Sequence, residues 1–458
     1  MKKTVYDRQF DIVVAGGGVS GAVAALAAAR CGADVLVVEQ TGYLGGTLTS
    51  CGVGPMMTFH AGEKQVICGI MQEIVETLQA RGHSTGHVPD TKQYTDTVTP
   101  FNAEGLKAVL DDLLSNAGVT IMFHSFIGAV AREGDRVSAL TVCNKDGLNT
   151  LKAKVFIDST GDGDVASWAG ATMTKGRESD GASQPLTMKM KYCNVDTKAL
   201  KGHVLANIKD FPKMIEHVDL FSQDIPMDLE GFNREVAQAK ADGELDIARE
   251  NVLLFGTDRE GEFIFNTTRV IGHDATCAMS LSDAERIGRR QCVQLDRFIR
   301  KYIPGFKNAL LEYTGPSIGV RSSRQLVGSY ILTAEDILVC KRFGSVIAHS
   351  GYPIDIHNPT GEGTASTFLQ PGNYYDIPYE VMVCGEIANL IVTGRCCSVT
   401  FEAQASVRLT PSAGAMGQAA GIAASLAARE GGDVRSVNVS AVQSLLKSQG
   451  AFLEVAPV

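Results

Sequence analysis

The apolar positions of this chain form short continuous runs near its two ends, with longer mixed stretches between them. Ile12 to Ala15 and Val35 to Val38 are unbroken apolar quartets, the pattern of parallel strands covered on both faces. Between them, the alanine-rich stretch Val19 to Arg30 predicts a small-residue helix, with Gly32 suited to its C-terminus. Helical periodicity returns over Gln65 to Gln79, through Ile67, Ile70, Met71, Ile74, Val75 and Leu78, and over Phe101 to Gly118. Val119 to Phe123, Phe126 to Ala131, Val137 to Cys143 and Lys154 to Asp158 read as strands, the middle two joined by a turn at 133–135. Thr41 to Pro55 reads as a glycine-rich loop, and Gly82 to Pro100 as a polar, irregular excursion.

From Met173 to about Cys384 the pattern changes to longer mixed segments. Leu186 to Tyr192 and Glu262 to Asn266 are strand-like. Asp283 to Tyr302 is helical, opened by the capping pattern Ser282…Glu285 and closed by Pro304-Gly305. The opening pattern then returns. Asn389 to Gly394 is a strand running into a turn, and Pro411 to Glu430 is a second small-residue helix like the first. The tail carries an amphipathic helix around Val439 to Ser448.

Chemistry enters at the first turn. Gly16, Gly18 and Gly21 have the spacing G-x-G-x-x-G between the first strand and its helix, and the second strand ends on Glu39. Gly16 permits a tight turn, Gly18 lets a pyrophosphate approach the backbone, and Gly21 lets the helix press on the sheet. The helix N-terminus offers free N–H groups and a positive dipole end. Glu39 can accept from a ribose 2′-hydroxyl and repels a 2′-phosphate, so the stretch points to a dinucleotide other than NADP.

Composition narrows the classes. With 458 residues, 45% apolar and 20% charged, the chain can bury the cores of two or three domains. A net charge of −9 disfavours nucleic acid as a partner. Eleven scattered cysteines without a CxxC spacing argue against a disulfide framework, a structural metal or an iron–sulfur cluster, and fit a reducing cytoplasm. Lys2 and Lys3 followed by Ile12 to Ala29 and Cys31 imitate an export signal. Asp7, Arg8 and Asp11 interrupt that pattern and Arg30 directly precedes Cys31, so the stretch reads as the first strand and helix. No segment reads as a membrane span.

Assembled in order, these pieces resemble the FAD-dependent oxidoreductase family related to the glutathione-reductase type of flavoprotein. The resemblance rests on the first strand–helix–strand unit, Leu44 to Thr47, Asp158 to Asp164, Pro304 to Phe306 and Gly319 to Arg324. It continues through Tyr352 to His357, Asp376 to Tyr379, Asn389 to Arg395, Arg408 and Gly417 to Gly421. It lacks the iron–sulfur cysteine motifs of the heterodisulfide-reductase branch and the histidine–arginine pattern of fumarate-reductase relatives. The resemblance implies an α/β fold: a Rossmann-like FAD-binding domain of the GR2 type, discontinuous over 1–175 and 385–430. An α+β substrate domain is inserted at 176–384, and a helical tail follows at 431–458. It implies an extended FAD. The adenosine end lies at Gly16, Gly18, Ser20, Gly21, Glu39 and Gln40, with Ile127 by the adenine. Gly45, Gly46 and Thr47 line the pyrophosphate and flavin side, and Gly161 and Asp162 supply a second contact. Arg395, Gly414 and Gln418 lie by the flavin, where a helix starting near Ser412 to Gly414 points its N-terminus at the N1/O2 edge.

In the middle region, Asp355 and His357 share a face if extended, so the carboxylate can bias the imidazole; the competing reading is a locally bonded loop. Tyr352 stands beside them as either a proton-handling or a packing residue. Arg321 and Arg324 flank two serines and can hold a carboxylate or form structural ion pairs. Cys51 is the one cysteine placed for redox chemistry, with inert packing as its alternative, and Cys396 and Cys397 read as core. The expected function is hydride transfer between a small organic substrate and flavin N5, as a dehydrogenase, with His357, Tyr352 and Arg321 as the catalytic group. The alternatives are a reductase of an activated double bond or an electron-transfer subunit with a redox partner; a homo-oligomer is left open.

Overall fold

The computed structural model describes residues 5–456, so Lys2 and Lys3 lie outside the described residues. Its main sheet contains β1 (Gln9–Ala15), β2 (Val35–Val38), β3 (Thr120–Met122), β4 (Phe126–Glu133), β5 (Arg136–Asn144) and β6 (Gly147–Asp158). The order is β3-β2-β1-β6-β5-β4, and Leu390–Val392 adds to β6 as a seventh strand. β3, β2, β1, β6 and Leu390–Val392 pair in parallel, while β6, β5 and β4 are antiparallel neighbours. β6 is twelve residues long and not the five read from the sequence. Its first half pairs with β5, and side chains there alternate between exposed and buried. Its second half lies between β1 and Leu390–Val392 and is buried on both faces. Only that doubly covered half shows as an apolar run.

The two small-residue helices explain each other. α1 (Val19–Arg30) lies directly against the helix Thr410–Arg429. A Cβ on Gly417 would stand 2.2 Å from the carbonyl oxygen of Ser20, and one on Gly421 would stand 2.0 Å from that of Ala24. Glycines four apart therefore form one face that brings the two backbones together. Gly21 does the same toward the sheet, where a Cβ would stand 2.0 Å from the Gly16 carbonyl oxygen. This pairing joins the two ends of the chain into one core.

A second, antiparallel sheet holds β7 (Met190–Cys193), β8 (Asp228–Gly231), β9 (Val252–Gly256), β10 (Phe263–Phe265) and β11 (Leu310–Thr314), in the order β8-β9-β10-β7-β11. The two strands foreseen at 186–192 and 262–266 are neighbours in it. α2 (Ala278–Tyr302) buries Cys292, Leu295, Phe298 and Ile299 in this unit, whose core is formed by residues of 186–318. The helix begins five residues before the expected position, after Cys277. Ser282 bonds to the Ala278 carbonyl and Glu285 accepts from the Ile318 N–H, so the capping pattern serves other partners. Leu332, Ile347, Tyr375 and Val383 belong to the first core, so this second core is narrower than the interval 176–384. The excursion 82–100 is ordered in part, as two short strands beside Met56–Met57, around the buried Asp90. Among the described residues, no helix is long and apolar enough to cross a membrane.

Candidate active site

Every element needed for a nucleotide cradle meets at the C-terminal ends of β1, β2 and β6. Gly16 leaves β1 at φ +97°, and a Cβ there would stand 2.5 Å from the Ser159 carbonyl oxygen. No side chain caps the N-terminus of α1, so its first N–H groups stay available to an anion. The loop 44–47 runs backbone to backbone along this turn. Gly45 donates its N–H to the Gly17 carbonyl at 2.9 Å, and a Cβ on Gly46 would stand 2.8 Å from the Gly18 Cα. Glu39 is buried. It accepts from the Gly17 N–H at 2.7 Å and from the Thr41 N–H at 2.8 Å. These bonds leave lone pairs on a carboxylate that also faces the cavity.

A single cavity of about 960 Å³ starts at this cradle. Gly16, Gly18, Ser20, Glu39, Gln40, Gly46, Thr47, Ile127, Gly161, Asp162 and Arg395 all stand on its wall. Asp162 pairs with Arg395 at 2.8 Å and accepts from the Ser323 hydroxyl at 2.6 Å. The Arg395 guanidinium lies over Gly161, where a Cβ would stand 2.7 Å from Cζ. Its buried Nε has no hydrogen-bond partner among the described residues. Arg324 takes the structural reading, with an ion pair to Asp164 at 2.8 Å.

Four expected cofactor contacts lie off this wall. Gly21 and Gly45 serve backbone packing instead. Gly414 faces Met71, whose Sδ a Cβ would meet at 2.1 Å. Gln418 is buried and accepts from the Ile70 N–H at 3.1 Å. The reason is the helix start, which falls at Thr410, with Pro411 in the first turn. Leu409, Thr410 and Ala413 then line the cavity, while Gly414, Gln418 and Gly421 turn toward the interior.

At its other end the cavity reaches Arg321, Tyr352, Asp355 and His357, which the structure brings together. Asp355 and His357 share one face of the strand Ile354–His357, with His357 Nε2 3.3 Å from Asp355 Oδ2. Tyr352 donates to the same oxygen at 3.4 Å and Arg408 approaches it at 3.5 Å. Burial would raise the Asp355 carboxyl, but His357 and Arg408 hold it well below the usual carboxylate range. Burial and the Arg321 charge push His357 well below an ordinary histidine. Its Nδ1 faces the Thr364 hydroxyl at 3.2 Å and the Arg269 guanidinium at 3.4 Å. Arginine can only donate, so Nδ1 carries the lone pair and Nε2–H points to Asp355. Burial and Asp355 push the Tyr352 phenol far up, which keeps it protonated.

Several residues of this end escape a sequence reading. Arg321 is anchored by the Pro185 carbonyl and the Thr187 hydroxyl. Two buried glutamines connect it to His357. Gln404 donates to the Arg321 carbonyl at 2.7 Å and accepts from Gln184 at 3.1 Å, and Gln184 accepts from the His357 N–H at 3.3 Å. Lys189, Arg249 and Tyr94 also line the cavity. Nothing in the local sequence marks these residues, because strands and loops far apart in the chain deliver them. Cys51 is on the wall too, but it is buried, donates weakly to the Ile318 carbonyl, and burial raises its thiol above the ordinary value. Cys396 and Cys397 are core.

The cradle is continuous with a buried cluster of ionisable side chains, Arg321, Tyr352, Asp355 and His357. The chain belongs to the FAD dependent oxidoreductase family, whose profile matches residues 11–446. FAD is its cofactor, and the cradle fits one: the start of α1 carries no side-chain cap, Glu39 faces the cavity, and the buried Arg395 Nε has no acceptor among the described residues. Similar solved structures include a geranylgeranyl bacteriochlorophyll reductase-like protein from Thermoplasma acidophilum. That likeness has 14% identity and a TM-score of 0.46, over 97% of this chain and 84% of that one. Another is the flavin-dependent brominase Bmp2, with 11% identity and a TM-score of 0.48 over 96% and 84%. A third is p-nitrophenol 4-monooxygenase PnpA from Pseudomonas putida DLL-E4, with 12% identity and a TM-score of 0.43 over 96% and 84%. Comparison with curated proteins gives no match.

Proposed function

We propose that this enzyme is a dehydrogenase of a small organic substrate. The observation that carries the reading is the single cavity joining the nucleotide cradle to His357, Asp355, Tyr352 and Arg321. FAD bound in the cradle supplies a two-electron acceptor for a hydride equivalent. The proton that leaves with the hydride needs a base; His357 is unprotonated, and its Nδ1 lone pair, shared by the Thr364 hydroxyl on the cavity wall and the Arg269 guanidinium, serves as that base when a substrate takes the place of Thr364. Asp355 fixes the ring through Nε2 and offsets the charge the ring gains with that proton. Tyr352 stays a phenol whose one O–H is directed at Asp355, so it meets a substrate as an acceptor or, by turning that O–H, as a donor. Arg321, held from behind by Pro185 and Thr187, directs its charge to the cavity.

The same reading assigns Gly16, Gly18, Ser20, Glu39, Gln40, Gly46, Thr47, Ile127, Gly161, Asp162 and Arg395 to the FAD. It also takes the FAD-binding unit as a GR2-type domain interrupted by the substrate region 176–384. The parallel addition of Leu390–Val392 to β6 and the separate core support an interruption, over the narrower stretch 186–318. The test is anaerobic photoreduction of the purified protein, followed by a substrate panel read as flavin bleaching. His357→Ala is expected to retain FAD and lose about 10²–10⁴ in turnover, the range of general acid–base catalysis. Full turnover with bound FAD in that variant removes His357 from the mechanism.

A further inference from the structure

The inner end of the cavity gathers more positive charge than the protein neutralises. Lys189, Arg249, Arg321 and Arg408 stand on its wall, and Arg269 lies behind His357. Arg249, Arg269 and Lys189 are only 4%, 3% and 6% exposed. Among the described residues, only Arg408 of these five has a carboxylate within 4 Å, and that carboxylate, Asp355, is shared with His357. Arg249 bonds to the Asn251 side-chain oxygen, and Arg269 to the carbonyls of Gly361 and Gly363. Among the described residues, no acceptor bonds to the Lys189 Nζ.

The nearby acids do not balance these five cations. Glu230 pairs with Lys213 at 2.8 Å, and Glu250 accepts from the Gly363 N–H at 3.3 Å. With Asp355 and with Glu362, which lies near Arg269 but pairs with Lys240, four carboxylates face five cationic side chains, and two of the four are already paired elsewhere. The cations also repel one another: burial, then Arg321, Arg249 and Arg408, push Lys189 far below an ordinary lysine, and burial with Arg408 pushes Arg321 down. A protein leaves buried cations unpaired at a considerable desolvation penalty. A ligand that brings its own negative charges removes that penalty, and guanidinium forks match oxyanions in geometry.

We propose that this end of the cavity receives an organic acid carrying at least two oxyanionic groups, carboxylate or phosphate. One such group meets Arg321 and Arg408, beside His357. The other meets Arg249 or Lys189. The proposal rests on the reading of the cavity as the substrate site of a flavoenzyme, since the same charges could instead serve the flavin.

Calorimetric titration of the FAD-loaded full chain tests it, with succinate and citrate as carboxylate probes, 2-phosphoglycerate as a phosphate probe, and succinamide and putrescine as neutral and cationic controls. The dianions are expected to bind, to weaken as salt is added, and to raise the melting temperature, while both controls fail. The tightest probe tells carboxylate from phosphate. Arg249→Gln is expected to weaken the best dianion by about thirtyfold or more, as removal of one member of a buried charge pair does. Arg249→Lys should recover part of that loss, which guards against a variant that merely misfolds. Dianions that bind no better than succinamide overturn the proposal, as does Arg249→Gln that loses FAD but keeps the anion. Flavin absorbance and photoreduction separate the two layers. A photoreducible flavin without dianion binding removes only the substrate class. A protein that holds no flavin yet binds dianions removes the flavoenzyme reading and leaves the anion receptor standing.

Discussion

The two ends of the cavity are built from different materials. The nucleotide end is made of backbone: glycines at 16, 18 and 46, an uncapped helix start, and one ion pair between Asp162 and Arg395. The inner end is made of long side chains, with Arg321, Arg408, Lys189 and Arg249 around Asp355 and His357. Backbone donors suit a ligand that is always the same, because they cost little entropy and cannot rotate away. Long charged side chains suit a ligand that comes and goes, and they hold the free site in an electrostatically unfavourable state until it arrives. The contrast predicts opposite responses to mutation: changes at the nucleotide end destabilise the protein, and loss of a cation at the inner end stabilises it.

The largest effect is expected from Gly16→Ala. The new Cβ would lie 2.5 Å from a carbonyl oxygen at a φ of +97°, costing about 4 kcal/mol or more. The purified variant should contain little flavin and melt early, and a normal flavin content would remove the cradle argument. Next comes Asp162→Asn, which leaves the Arg395 guanidinium without its charge partner. A loss of about 2–3 kcal/mol in urea unfolding is expected, with weaker FAD retention. Lys189→Met reverses the sign. Burial and the neighbouring guanidiniums already press this amine toward its neutral form, so its removal should stabilise the anion-free protein by no more than about 1 kcal/mol while reducing the melting shift that citrate produces. Destabilisation by Lys189→Met would erase the contrast between the two ends.

The smallest effect lies outside both ends. Burial and neighbouring His60 lower His87 to about 4, and its ring is held between the Thr99 hydroxyl and the Gln72 side-chain oxygen. The unfolded chain takes up this proton near pH 6.5, so the group's contribution is present above that pH and is lost as pH falls toward 4. His87→Asn should flatten the acid limb of the stability curve between pH 6.5 and 4 by about 1 kcal/mol, since the ring is part-exposed. Unfolding free energies at pH 7 and 4.5 in both proteins measure it.

How much of this was legible in the chain depends on distance. Gly16, Gly18 and Glu39 announce themselves because a turn, a helix start and a strand end are local requirements, met within a few dozen residues. Asp355 and His357 were legible for the same reason, two positions apart on one strand. Gly414 and Gln418 lie off the cavity, which was not legible because the sequence shows a small-sided helix without showing where it starts or which side turns to Ile70 and Met71. Ser282 and Glu285 matched a capping pattern and yet lie inside the helix, because packing of α2 on the second sheet extended it by a turn.

The sequence by itself determined the dinucleotide cradle, the alternation of strands and small-residue helices, and the residue pair at 355 and 357. Each depends on backbone conformation or spacing that neighbours in the chain impose. Only the tertiary structure decided that the two glycine-rich helices press together, that Gln184 and Gln404 join Arg321 to His357, and that Lys189, Arg249 and Arg408 converge on one cavity. Those residues are delivered by segments far apart in the chain, Gln184 and Gln404 by 220 positions, and the electrostatic field they share exists only after folding brings them within reach of one another.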